Sequence, residues 1–153
     1  MHNTYKLSIV YFIFFSALLL SSALMLFLTK IGFGIEAITN YYLGNEPSFI
    51  QAKTLAGLLK VVYPHIFSIG LLAMVLLHFI YFTSFKKNHK FKYLILVSYL
   101  AIFLEIFSGF FIILGATIFA FVKLVSFILM SILFLYMFWL ILDSILNQKS
   151  QKV

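Results

Sequence analysis

Two histidines, His65 and His78, stand in the otherwise apolar stretch "PHIFSIGLLAMVLLHF", Pro64–Phe79. A carboxylate, Glu105, lies in a second apolar run and an ammonium, Lys123, in a third. Ionisable side chains are costly in lipid, so those within membrane spans face protein or water and point to functional sites. An imidazole there can ligate haem iron or carry a proton. A carboxyl group can relay a proton or bond a neighbouring helix.

The spacing limits what the two histidines can do together. Thirteen residues separate them, about 20 Å along a helix and about 140° around it. One cofactor cannot meet both rings on one chain. Pro64 suits the first turn of a helix, which places His65 at an interface. His78 then lies about 10 Å inside the other end of the same helix, on a stripe with Phe67, Leu71, Met74 and Phe82. His78 is therefore expected to be the one buried histidine. A methionine can complete haem ligation. Met137 is at the depth of His78 and Met25 at the depth of His65, so the candidate cofactor residues are His78, His65, Met137 and Met25.

Glu105 is the costliest residue in the chain. Ala101, Ser108 and Gly115 share its helical face, and such a small-residue stripe lets another helix come close. Glu105 is expected between helices, protonated and donating a hydrogen bond, or in a relay with His78 about 8 Å away in height by the helix rise. Lys123 is near the outer end of its run and is expected to snorkel outward. Asp143 marks the opposite boundary.

The elements that must position these residues follow from composition. Of 153 residues, 64% are hydrophobic and 10% charged, against about 25% charged in soluble domains. Mean hydropathy is +1.13. The chain reads as an integral membrane protein. There is no cysteine, which excludes disulfides, thiolate metal sites and covalent haem attachment. All 11 basic residues are lysines, which disfavours bidentate anion recognition. No phosphate loop, zinc motif or nucleophile elbow occurs. No catalytic residue and no metal site is assigned, no catalytic activity of its own is expected, and nucleic acid is not a partner.

Four runs are long enough to cross a bilayer, which takes about 20 helical residues. They cover about 7–28, 64–84, 93–114 and 118–142. The first follows Lys6 and stays apolar to Leu28, too long for a signal-peptide core, so it is read as a retained helix. Only "GATI" separates the last two, which predicts a tight antiparallel hairpin. The whole is read as a single transmembrane domain, 1–153.

The lysines orient it. Lys6, Lys86, Lys87, Lys90, Lys92, Lys149 and Lys152 share the side of the termini; Lys30, Lys53, Lys60 and Lys123 lie toward the other. The excess puts both termini in the cytoplasm. Tyr81, Tyr93, Tyr136 and Trp139 then form an aromatic belt at that interface. On the outer side, Ile31, Ile35, Ile38 and Tyr42 recur at helical spacing. "GNEP" breaks that stripe, and Ser48–Gln51 forms a capping box for a second helix. A short amphipathic helical hairpin on the outer face is expected.

The stretch "YYLGNEPSFIQAKTLAGLLKVVYPHIFSIGLLAMVLLHFIYF", residues 41–82, resembles a family of small, uncharacterised four-span inner-membrane proteins of Gram-negative bacteria. Those show a lysine-containing leucine-rich helix, histidines opening a span and another near its far end. His65 and His78 match two of these histidines; Tyr63 stands where the family often has its first.

The expected fold is an all-α four-helix transmembrane bundle in the bacterial inner membrane. Two functions stand open: a b-type-haem or redox-linked membrane subunit using His78 and His65, and a non-catalytic assembly or accessory subunit. A small proton-coupled carrier or channel using Glu105 and His78 ranks third, because inverted repeats and broken helices are missing. Other membrane subunits or a homo-oligomer are the expected partners, besides lipid.

Overall fold

The computed structural model describes residues 3–147; Lys149 and Lys152, counted above among the lysines of the terminal side, lie outside them. Five helices follow in order: α1 Asn3–Leu26, α2 Ile35–Leu43, α3 Leu55–Tyr81, α4 Lys90–Ile113 and α5 Ile118–Asn147. α1 runs into a π turn, Phe27–Ile31. Four stretches are long and apolar enough to span a membrane: Thr4–Ile31, Leu55–Tyr81, Lys90–Ile113 and Ile118–Leu146.

α4 is the axis of the bundle. Its most apolar window is 44% buried, against 11% for α1. The reason is in its side chains. Ser98, Ala101, Glu105 and Ser108 recur every three or four residues and are all buried. Small residues let a second helix approach closely, and α5 packs along this face. The expected hairpin between them forms. It turns at Gly115, whose φ of +93° suits a residue without Cβ. Gly115 thus belongs to the turn and not to the Glu105 face.

The segment between the first two spans departs from the expected surface hairpin. α2 forms, but its stripe faces protein. Ile38 and Tyr42 are buried, and α2 packs on α4 and α5. Gly109 of α4 makes room: a Cβ there would lie 3.0 Å from Tyr42 Cε1 and 3.2 Å from Leu58 Cδ1. Apolar area beside α4 and α5 is as good a shelter as lipid, and the glycine opens it.

The second helix of that hairpin does not start at Ser48. Glu46–Ser48 is a single 3₁₀ turn. Phe49 takes a left-handed conformation, φ 55°. Ile50 then pairs back to Asn45 through two backbone bonds, 2.8 and 3.0 Å. Thr54 caps the helix instead, its Oγ1 accepting from Gly57 N at 3.1 Å. From there α3 continues through Pro64 to Tyr81 without a break, 27 residues. That is about 40 Å, longer than the roughly 30 Å hydrocarbon core, so its first turns take the place of the separate surface helix.

Pro64 is therefore inside α3, not at its start. A proline there has no N–H to donate and crowds the preceding turn. Two side chains serve carbonyls at this point. His65 Nδ1 bonds Val61 O at 2.6 Å, and Ser68 Oγ donates to Pro64 O at 2.8 Å.

At the other end, Tyr81, Tyr93, Tyr136 and Trp139 are all exposed, as aromatic side chains at a lipid–water interface would be. Trp139 stacks on Tyr136 at 5.9 Å.

The Gly109 contact is testable. Gly109→Val should destabilise the detergent-solubilised protein by about 1–3 kcal/mol, the usual effect of overpacking. Gly70→Val is the control, since a Cβ at Gly70 meets nothing within 4 Å. Equal melting temperatures for the two variants would show that Tyr42 does not depend on Gly109.

Candidate functional site: a buried lysine–glutamate pair

The α4–α5 hairpin sets the geometry. Glu105 and Lys123 are each nine residues from Leu114, on opposite sides of the turn. With the turn between Ile113 and Ile118, Glu105 lies eight residues into α4, about 12 Å from the turn, and Lys123 five residues into α5, about 8 Å from it, a difference that the long lysine side chain spans. Lys123 Nζ donates to Glu105 Oε1 at 2.9 Å and to the Glu105 backbone oxygen at 2.7 Å. The two side chains are only 6% and 10% exposed.

This corrects two expectations. Lys123 does not snorkel outward, because its ammonium bonds a carboxylate across the hairpin. Glu105 does not donate: its carboxyl oxygen accepts from Lys123. The surroundings are polar on one side. Ser108 Oγ donates to the Glu105 backbone oxygen at 3.0 Å, and Ser126 Oγ to the Lys123 backbone oxygen at 3.1 Å. On the other side lies Tyr42 of α2, with Lys123 Nζ 5.8 Å from its ring centroid. Burial pushes the Tyr42 phenol above its ordinary range, and Lys123 pulls it partly back.

His78 is not buried. Its whole stripe points outward: Phe67, Leu71, Met74 and Phe82 are exposed, and His78 with them. Its ring meets Phe82, edge to face at 5.0 Å. The opposite face, with Ala73, Leu76 and Ile80, fills the core. Periodicity gave the stripe correctly but not its side, because both faces of α3 are apolar.

The remaining candidates separate. Met137 is fully buried in α5, and Met25 is 67% exposed on α1. His65 is exposed at its backbone-bound position, yet it lines a cavity of about 510 Å³. Glu105, Lys123, Tyr42 and Met130 line the same cavity; His78, Met25 and Met137 do not. Of the expected site residues, then, only His65 and Glu105 come together. Tyr42 and Lys123 are the partners that sequence reasoning missed. The tight hairpin at "GATI", with an acid in one arm and a base in the other, was the available signal for Lys123. Nothing comparable pointed to Tyr42, which α2 delivers from a separate segment.

Among the described residues, every buried polar side-chain atom has a partner. Breaking one half of such a pair leaves a charge uncompensated, which costs about 3–5 kcal/mol. Glu105→Leu and Lys123→Met should each lose stability in that range in detergent unfolding. The double variant should recover most of it. A double variant no better than the singles would rule out charge pairing as the basis of the contact.

No curated protein and no solved structure matches this chain. A family model does match, over residues 32–152. The match takes in α2 to α5 with the ion pair and leaves α1 outside it. The chain belongs to the Aq_1264_TM family of transmembrane helical domains.

Proposed function

We propose that this multi-pass membrane protein is a non-catalytic assembly or accessory subunit, with its partners other membrane subunits or further copies of itself. The observation that carries this reading is the Lys123–Glu105 pair. The two ionisable side chains placed deepest in the bundle bond each other and join α4 to α5. Their chemistry is absorbed in holding the bundle, as expected where polar groups fix helix packing. His65 supports the same reading, since its Nδ1 serves a backbone carbonyl beside Pro64.

A haem b subunit is the competing reading, and one observation favours it. An imidazole tied through Nδ1 to a carbonyl presents Nε2 as a ligand, and His65 borders the cavity. A reduced-minus-oxidised absorption spectrum of the purified protein separates the two. The accessory reading expects no b-type α-band. A band that disappears in His65→Ala overturns it.

The lysine asymmetry supports cytoplasmic termini in a bacterial inner membrane. Lys6, Lys86, Lys87, Lys90 and Lys92 gather at the end of the termini, the pattern of the cytoplasmic side. Alkaline phosphatase fused after α5 should be inactive, and fused in the 44–52 loop of a truncated chain it should be active. The reverse pattern means the opposite orientation.

A further inference from the structure

α1 is the loosest helix, and the cavity lies behind it. α1 and α3 meet toward the terminal end of the bundle, where the Phe12 and Phe79 rings are 5.4 Å apart, edge to face. Toward α2 the cavity of about 510 Å³ lies between them. Small-molecule sites typically measure roughly 300–1,000 Å³. Its walls differ along its length. Leu19, Ile69 and Met130 line the deep part with apolar side chains. The charged side chains Lys30, Lys123 and Glu105 lie toward α2. Lys123 and Glu105 neutralise each other. Lys30 does not have such a partner: its ammonium makes no hydrogen bond or ion pair among the described residues. It stands in the π turn just before Gly32, where the first span ends. A second ammonium, Lys53, lies 4.5 Å over the ring of Tyr41, another cavity residue. The two glutamates at this end of the chain, Glu36 and Glu46, do not line the cavity.

The geometry points to one bound acidic phospholipid. Its acyl chain lies between α1 and α3, and its phosphate faces Lys30. An apolar slot at bilayer depth takes a hydrocarbon chain without loss of hydrogen bonds. An ammonium at the end of a span sits at headgroup height and attracts anionic lipid by about 1 kcal/mol. The lipid also explains how a helix only 11% buried stays on the bundle: it fills the gap that α1 leaves against α3.

The test is native mass spectrometry of the protein purified in mild detergent. The expected result is one phospholipid per chain, with phosphatidylglycerol retained over phosphatidylethanolamine when both are supplied equally. Lys30→Gln should lower the preference for phosphatidylglycerol about fivefold, the fold-change for one lysine near a headgroup. Ala23→Phe places a ring in the cavity and should abolish retention. Leu18→Phe, on the exposed face of the same helix, should not. Equal retention of the two lipids, or equal occupancy in Ala23→Phe and Leu18→Phe, overturns the proposal. So does a retained mass with a haem absorption band. Lys30→Gln alters a surface residue, so it remains informative if Ala23→Phe fails to fold.

Discussion

A lysine and a glutamate held out of water must find each other, and the bundle is arranged so that they do. Neither ion can stay in lipid alone. Their pairing requires α4 and α5 to run antiparallel at close distance with one register. Each requirement has a visible cause: Gly115 permits the turn, and Ser98, Ala101 and Ser108 permit the approach. The length of the two arms sets the register. A slip of one residue would shift one charge by about 1.5 Å along the axis and rotate it out of line. A buried pair adds little net stability over well-packed apolar residues. Its effect here is selective, since it admits one register of the hairpin and raises the energy of the others.

α2 follows from the same constraint. A charged pair at the α2 end leaves a polar spot in an apolar wall. Tyr42 covers it with a ring and brings a hydroxyl, and a phenol suits a place that is apolar on one side and polar on the other. Gly109 gives the ring its place. Once Tyr42 is seated on α4, α2 cannot lie out on the bilayer. The 44–52 loop must then turn back sharply, and Lys53 N donates to Tyr42 O at 2.9 Å to close it.

The spans were legible because apolar runs of their length have one stable state in lipid. The hairpin was legible because "GATI" leaves no other connection. The small-residue face of α4 was legible for the same reason that Glu105 was conspicuous. The sides of α3 were not. In a soluble helix the polar face reveals the core by contrast; in α3 both faces are apolar, and His78 gave a false cue. The depth of Lys123 alone suggests snorkelling; the acid within its reach across the hairpin decides otherwise. The Ser48–Gln51 pattern was overridden by a loop whose register is fixed elsewhere, by Gly44 and the Asn45–Ile50 bridge. Thr54 was the better cap once Ile50 had been drawn back.

The two histidines now have separate explanations. His78 is on the lipid side of α3 near its end, where an imidazole can reach toward the interface as other amphipathic side chains do. His65 belongs to its proline. A proline inside a spanning helix leaves carbonyls short of donors where no water can supply one, and a side chain that donates locally makes the proline tolerable. His65 and Ser68 are one and four residues after Pro64, and each serves a carbonyl of the turn around it. "PHIFS" thus adds two side-chain bonds to the turn around the proline, although Lys60 O, the carbonyl that Pro64 leaves without an N–H, receives neither. That accounts for a histidine at this position before any ligand is considered, and it leaves Nε2 as the one part of the ring whose use is open to experiment.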